Sequence, residues 1–358
     1  MSFYKIFRPL IFKFEPETAH NMAIKFLKFL PKFSTQFCLN KNYENLQQKL
    51  WNLDFKSPIG MAAGFDKNAE VVMALSKFGF GFVEAGTVTP RAQSGNEKPR
   101  MFRLAKDRAI INRLGFNNLG AENFSQNITN IQGKIDCPLG INIGKNKDTE
   151  NALDDYLPLL ERFYSEADYI TINISSPNTK NLRDLQNEDQ LDIFLREISK
   201  KKNELKNIHK KEVAILLKIA PDLTYLEQEK IAATVLKNKI DGLIISNTTI
   251  SRDQNLQSKN AAEIGGLSGV PLFKMSNEVL KNMYKLTGGK IPLIGVGGAA
   301  SAMDVYEKIK CGASLVQIYS AFIYQGFGLV EKIKADLNEM IKKDGLNNIS
   351  DAIGKSAN

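Results

Sequence analysis

Short apolar runs alternate eight times with longer amphipathic stretches from Pro58 onward, and this alternation constrains the fold more than any other feature. The apolar runs predict buried strands at 58–62, 82–86, 138–143, 168–173, 213–219, 241–246, 291–296 and 314–319. Helical patterns occupy most intervals, at 66–78, 151–164, 188–206, 224–237, 272–286 and 301–310. Strand–helix alternation indicates a parallel sheet, and eight repeats favour a single (β/α)8 TIM barrel. A doubly wound open sheet remains the alternative α/β fold.

The length of 358 residues suits one barrel with additions. We expect a helical N-terminal segment over 1–41, a catalytic barrel domain over 42–340 and a C-terminal tail over 341–358. Only two histidines occur, His20 and His209, which argues against a Ser-His triad and a histidine-rich metal site. We therefore expect no metal. Three widely spaced cysteines, Cys38, Cys137 and Cys311, predict free thiols in a reducing compartment.

The net charge of +9 is concentrated at the N-terminus, where residues 1–41 hold seven Lys or Arg against two Glu. Eight of the 21 phenylalanines lie in the same segment. Helical spacing relates the apolar residues of a first helix, which Pro9 should kink: Phe3, Phe7, Leu10, Ile11 and Phe14. The same spacing relates those of a second helix: Met22, Phe26, Phe29, Leu30, Phe33 and Phe37. Such basic, aromatic helices are typical of an interfacial membrane anchor. Packing of the same faces on the barrel is the open alternative.

Polar or glycine residues end every predicted strand, at the carboxyl edge where barrel active sites lie. These tips are Ala63-Gly64-Phe65-Asp66-Lys67, Gly86-Thr87, Asn142, Asn173, Lys218, Ser246-Asn247-Thr248, Gly297-Gly298 and Tyr319-Ser320. Any one of them has a structural explanation as a turn or cap. Eight together predict an active site.

Glycine clusters follow strands six and seven, at 265–269 and at Gly297-Gly298. Loops after the last strands of a barrel often bind phosphate through backbone N–H groups, and glycine allows the close approach. We therefore expect a phosphate-binding site. The GxxxxGK[ST] motif of P-loop nucleotide sites does not occur.

Amide and lysine side chains at the strand tips indicate which groups the site binds besides a phosphate. Six asparagines offer donors and acceptors that suit a flat heterocycle: Asn112, Asn117, Asn142, Asn173, Asn178 and Asn247. Lys67 and Lys218 occur at or within strand tips, where a buried ammonium requires an anionic partner. Ser176 is the candidate base or nucleophile, although a capping serine is the simpler explanation when it is taken alone.

These stretches together resemble the dihydroorotate dehydrogenase family, in order and spacing, from about residue 3 to 335. The resemblance lies in 62–67, 84–91, 111–118, 140–146, 173–178, 218–222, 246–249 and 295–298. The N-terminal helices and a serine at 176 resemble the membrane-associated, quinone-using class. Soluble members use a cysteine as the base, and no cysteine stands near 176.

The resemblance implies FMN as cofactor, dihydroorotate and orotate as substrate and product, and a membrane quinone as final acceptor in pyrimidine (UMP) biosynthesis. FMN would contact Ala63, Gly64, Phe65, Asp66, Lys67, Thr87, Asn142, Asn173, Lys218, Ser246, Gly269, Gly298, Tyr319 and Ser320. The substrate would contact Lys67, Asn112, Arg113, Leu114, Gly115, Phe116, Asn173, Asn178, Asn247 and Thr248. Ser176 would be the catalytic base. The protein would lie peripherally on the cytoplasmic face of the cell membrane through residues 1–41, which would also admit the quinone, and would bind no nucleic acid.

Three residues depart from the family pattern. Phe65 stands where leucine is usual, Ser246 where threonine is common, and Val270 where a basic residue is frequent. The sequence leaves two other functions open. A phosphate-binding barrel lyase or isomerase explains the glycines but leaves the lysines and amides unused. A non-catalytic basic protein that binds membrane or nucleic acid explains only the N-terminus.

Overall fold

Eight parallel strands form a closed barrel in the computed structural model, which describes residues 3–30 and 41–357. In chain order they are β3 (Ile59–Met61), β4 (Phe82–Val88), β7 (Leu139–Ile143), β8 (Tyr169–Asn173), β9 (Ala214–Ile219), β10 (Gly242–Ile245), β12 (Leu293–Val296) and β13 (Leu315–Ile318). β13 pairs in parallel with β3, which closes the sheet. The barrel prediction is confirmed at all eight strands, and closure rules out the open doubly wound sheet.

Helices cover the outside of the barrel. Those after the N-terminal pair are α3 (Val72–Ser76), α4 (Gly120–Ile131), α5 (Leu153–Phe163), α6 (Glu188–His209), α7 (Tyr225–Lys237), α8 (Phe273–Thr287), α9 (Ala302–Lys310), α10 (Ser320–Gln325) and α11 (Leu329–Lys343). The helix expected at 66–78 is confined to α3, because residues 62–71 form the turn that carries Lys67. The main core lies between the strands and these helices.

The barrel interior is apolar at its amino end and polar at its carboxyl end. Phe82, Tyr169 and Leu216 belong to one buried apolar cluster, and the residues two positions further along the same strands are Glu84, Thr171 and Lys218. Because side chains alternate along a strand, each polar residue points into the barrel directly above its apolar neighbour. The lower layer therefore forms the floor beneath the candidate site.

Two small sheets close the ends of the barrel and were not predicted. A hairpin of β1 (Gln48–Leu50) and β2 (Leu53–Phe55) packs Trp51 and Phe55 against the apolar interior. Across the carboxyl end, β5 (Met101–Leu104), β6 (Ala109–Asn112) and β11 (Gly266–Gly269) form an antiparallel sheet. This second sheet lies over the strand tips.

The N-terminal residues form α1 (Phe3–Ile11), which contains Pro9, and α2 (Pro16–Phe29). A buried ion pair attaches α2 to the residue that precedes β5, with Glu17 and Arg100 joined at 2.7 Å. Apolar side chains on both helices and in the turn between them face solvent: Ile6, Phe7, Leu10, Phe14, Met22, Phe26 and Phe29. The expectation for Phe33 and Phe37 falls outside the described residues. Among the described residues, no helix combines the length and apolar content needed to cross a bilayer.

The C-terminal residues continue the barrel domain. The expected boundary at 340 falls inside α11, and the following residues pack back onto α9 through hydrogen bonds from the Gly354 and Ser356 amides to the carbonyls of Ile309 and Lys310. A 3-10 turn at Ile349–Ala352 buries both terminal side chains of the turn. Residues 341–357 therefore form part of the packed structure.

Candidate active site

A cavity of about 320 Å³ opens at the carboxyl end of the barrel strands. Most of the sequence-predicted site residues line it: Ala63, Gly64, Lys67, Thr87, Asn112, Leu114, Gly115, Phe116, Asn173, Ser176, Asn178, Lys218, Ser246, Asn247, Thr248, Gly269, Gly298, Tyr319 and Ser320. They derive from seven of the eight barrel strands or the loops after them, and β7 contributes no lining residue in the described part of the chain. Its size suits a cofactor or small molecule.

The cavity floor is a buried carboxylate bound by neutral donors. Glu84 accepts hydrogen bonds from Asn142 and Gln317, each at 2.8 Å, and from Tyr169 and Thr171, each at 3.1 Å. Four donors compensate the desolvation of this charge. The negative charge of Glu84 also favours the protonated form of the nearby Lys218 ammonium, whose pKa burial lowers.

Three polar side chains above this floor hold one another in place. The Thr87 hydroxyl donates to Asn142 Oδ1 at 2.6 Å, and Asn173 Nδ2 donates to Thr87 Oγ1 at 3.0 Å. All three are buried. Their orientations are thereby set before a ligand enters, which reduces the entropic cost of binding.

Ser176 lies in a loop that other side chains tie down. Its Oγ accepts a hydrogen bond from the main-chain N–H of Asn178 at 3.2 Å. The side-chain Nδ2 of Asn178 donates a hydrogen bond to the Asn112 carbonyl, also at 3.2 Å. Ser176 as a whole is only 5% exposed. Among the residues that the structure describes, no acceptor takes a hydrogen bond from the Ser176 hydroxyl, so this hydroxyl is free to donate to a ligand.

Arg183 fastens the Ser176 loop to the loop after β10. Its guanidinium donates to the carbonyls of Ser175 at 3.0 Å and Thr248 at 2.9 Å, and it pairs with Asp222 at 2.8 Å. Asn247 Nδ2 adds a hydrogen bond to Ser175 Oγ at 3.0 Å. The two loops that carry Ser176 and Thr248 therefore form one rigid wall.

Lys67 lies in the turn after β3 and also lines the cavity. Burial lowers its pKa to about 8, against the opposing effects of Glu17 and Asp66. Its ammonium is therefore charged for the most part at neutral pH. A carboxylate bound in the cavity would raise this pKa again.

A glycine turn forms the far end of the cavity. Gly297 and Gly298 both have positive φ, and a Cβ on Gly298 would lie 2.5–2.7 Å from the backbone and Cβ of Phe273. The hydroxyls of Ser268 and Ser320, which also line the cavity, lie 2.9 Å apart. Glycine amides beside two hydroxyls are typical of a phosphate site.

Four predicted site residues do not line the cavity. Asn142 lies beneath Thr87, and the Asp66 carboxylate accepts the amides of Glu70 and Val71 at the start of α3. Phe65 packs edge-on against Tyr319. Arg113 faces away and pairs with Glu263 at 2.8 Å.

Several lining residues were not expected from the sequence. Gln317 lies in the floor, and its Oε1 is buried without a hydrogen-bond partner among the described residues. Its position two residues before the Tyr319 tip was the available signal. Arg8 of α1 and Tyr324 of α10 also line the cavity, and the Arg8 guanidinium donates to the Tyr324 carbonyl at 3.0 Å. The cavity therefore extends to the N-terminal helices.

Comparison with known proteins gives a consistent result. The family model described as dihydroorotate dehydrogenase matches residues 45–341. A dihydroorotate dehydrogenase (quinone) of Shewanella sp. (strain MR-4) is 49% identical over 92% of this chain and 98% of its own. One from Xanthobacter autotrophicus is 45% identical over 99% of both. The crystal structure of DHODH from Eimeria tenella in complex with ferulenol has a TM-score of 0.90 at 41% identity, covering 95% of each chain.

Proposed function

Because the chain belongs to the dihydroorotate dehydrogenase family and is an oxidoreductase, we propose that it oxidises (S)-dihydroorotate to orotate in pyrimidine biosynthesis, with bound FMN and a quinone as final electron acceptor. The observation that carries the proposal is the cavity itself. One space contains a glycine turn at one end, a buried ammonium in its floor and a clamped serine in its wall.

The residues of the cavity fit FMN. Lys218 supplies a cation to a heterocycle in the floor, and Gln317 Oε1, which has no partner among the described residues, supplies an acceptor. The Gly298 turn with Ser320 suits the phosphate of FMN. The chemistry that FMN supplies when bound is acceptance of a hydride from the substrate and delivery of electrons to a quinone. Three residues predicted to contact FMN lie outside the cavity lining: Phe65, Asp66 and Asn142. We propose that they contribute to FMN binding through their main-chain atoms or through the side chains of Thr87 and Asn173.

Dihydroorotate is proposed to bind between Lys67 and the Ser176 wall. The Lys67 ammonium pairs with its carboxylate, while Asn112, Asn173, Asn178 and Asn247 offer donors and acceptors to the ring. Thr248, Leu114, Gly115 and Phe116 complete the enclosure. For Arg113 we propose a structural role at the loop, since its guanidinium is bound to Glu263.

Ser176 is proposed to act as the general base. Its Oγ would take the proton from C5 of dihydroorotate as its own hydroxyl proton passes to solvent, and C6 would give its hydride to the oxidised flavin, so that a C5–C6 double bond forms. The rigid attachment of its loop by Arg183 and Asn247 supports this role, because proton transfer requires a fixed donor–acceptor distance.

Residues 1–41 are proposed to hold the protein peripherally on the cytoplasmic face of the cell membrane and to admit the quinone. Aromatic side chains of α1 and α2 face solvent, in a segment with local charge +5, and this combination suits an anionic lipid surface. Arg8 connects this segment to the cavity.

The visible absorption spectrum of the purified protein tests the proposal. We expect a flavin band that dihydroorotate bleaches and that an added quinone restores, whereas fumarate or NAD does not. A colourless protein that cannot be reconstituted with FMN would contradict it.

A further inference from the structure

In the part of the chain that the structure describes, Lys308 lies fully buried behind the cavity wall without a carboxylate counter-ion. Lys308 of α9 is 0% exposed, and it forms an ion pair with no carboxylate of residues 3–30 or 41–357. Another buried lysine of the barrel, Lys202, pairs with Asp241 at 2.6 Å. Burial of an unpaired ammonium is costly, so an anion bound on the other side of the cavity wall would stabilise the charged form of Lys308.

Neutral groups surround the Lys308 ammonium. It donates hydrogen bonds to Ser276 Oγ at 2.7 Å and to Asn277 Oδ1 at 2.8 Å, and it lies 5.1 Å from the centre of the Phe273 ring. Burial lowers the pKa of Lys308 to about 7, against the weaker opposing effects of Cys311, Asp304 and Glu307. A nearby anion would stabilise the protonated form.

The hydrogen bonds of Lys308 lead to the glycine turn of the cavity. Ser276 Oγ, which accepts from Lys308, lies 3.0 Å from the Gly297 carbonyl that it can donate to. Gly297 and Gly298 line the cavity, and Gly298 lies against Phe273, the first residue of α8. One hydroxyl group thus separates the buried charge from the cavity wall.

We propose that Lys308 is a positioning residue for the phosphate of FMN, acting through Ser276 on the Gly297–Gly298 turn and supplying the buried positive charge behind it. The inference rests on the proposed function, because it takes this turn as the phosphate end of the FMN site. Lys308 does not touch the phosphate. It orients the turn through Ser276 and attracts the phosphate across the wall, where the low dielectric strengthens the attraction.

Binding of FMN and of riboflavin by the full-length chain freed of flavin tests this role. Riboflavin has the same ring system without the phosphate, so the ratio of the two dissociation constants isolates the phosphate contribution. For Lys308→Met we expect FMN affinity to fall about tenfold or more, the order of a charge interaction at a partly buried site. Riboflavin affinity should remain within about twofold of the unchanged chain, since it lacks the charge that Lys308 attracts.

Lys308→Gln provides a second variant if the methionine variant does not fold, because an amide still donates to Ser276 or Asn277. Lys202→Met is the matched control: it also removes a buried lysine, but one paired with Asp241. We expect this control to lower stability without changing the FMN-to-riboflavin ratio.

Equal loss of both flavins in the Lys308 variants would overturn the inference, since it would indicate a merely structural role. Unchanged FMN affinity would overturn it as well. If the unsubstituted chain bound neither flavin, the proposed function would fall together with it, so the two failures are distinguishable.

Discussion

The barrel and the N-terminal helix pair distribute polar and apolar side chains in opposite ways. In the barrel, α6 buries Leu191, Phe194 and Leu195, and the cavity encloses charged and amide groups such as Glu84 and Lys218. On α1 and α2, aromatic residues face solvent. The buried ion pair of Glu17 and Arg100 attaches these two helices to the barrel domain.

This inversion is consistent with the proposal that the two regions bind different partners. A preorganised polar cavity suits a polar ligand and proton transfer, whereas an exposed aromatic face suits a lipid surface. Arg8 and Tyr324 line the cavity where the regions meet. If the regions divide the reaction as proposed, a change in one should affect only one half-reaction.

The largest effect is expected for Ser176→Ala, which removes the proposed base from the cavity. FMN should remain bound, because the glycine turn and Lys218 are intact, while reduction of the flavin by dihydroorotate slows by about 10²–10⁴-fold, the range of general-base catalysis. Stopped-flow absorbance measures this step. Normal reduction kinetics would exclude Ser176 as the base, and reoxidation by quinone serves as the control half-reaction.

Deletion of residues 1–41 should produce the complementary result. Flavin reduction by dihydroorotate should be spared, and turnover with a membrane quinone should fall by about tenfold or more, because the apolar contact area with lipid is lost. The two half-reactions are measured separately on the same preparation. Intact quinone turnover after deletion would contradict the division between the two regions.

The charge of Lys67 predicts a pH dependence confined to the cavity. Its lowered pKa of about 8 means that the charged form, which binds the substrate carboxylate, is lost as pH rises through that value. Dihydroorotate affinity should therefore be full below pH 7 and should fall about fivefold between pH 8 and pH 9.

Lys67→Arg is the control for this dependence, since a guanidinium stays charged over the same range. Its substrate affinity should not vary between pH 7 and pH 9. A wild-type affinity that is equally constant would remove Lys67 from carboxylate binding.

The smallest effect is expected for a single aromatic residue on the helix pair. Phe26 on α2 is 56% exposed, and Ile193 on α6 is 52% exposed. Phe26→Ser should weaken binding to anionic vesicles about threefold, because part of one apolar side chain no longer enters the lipid. The matched Ile193→Ser should leave vesicle binding unchanged, and equal effects would refute a specific membrane face.

Much of the architecture was predictable because its signals are local. Each barrel strand is a short apolar run, and the residues at its carboxyl end are read directly from the chain. The parallel order brings those ends together at one edge, so the sequence predicted that Lys67, Asn173, Ser176 and Lys218 would share a site. The structure places all four around one cavity.

Contacts between distant segments were not predictable in this way. The sheet over the cavity pairs β6 with β11, which lies far along the chain, and short strands of this kind have no strong period of their own. The attachment of Arg183 to the Thr248 carbonyl and the packing of residues 341–357 on α9 likewise depend on loops whose paths a linear pattern does not encode.

By itself, the sequence determined the barrel, the polar ring of strand tips and the serine among them, because strand period and end chemistry are properties of neighbouring residues. Only the tertiary structure decided which polar groups are buried together. The partners of Glu84, the clamp on the Ser176 loop and the unpaired charge of Lys308 arise where remote segments exclude water from one another. Local patterns specify the elements, and burial between elements specifies their chemistry.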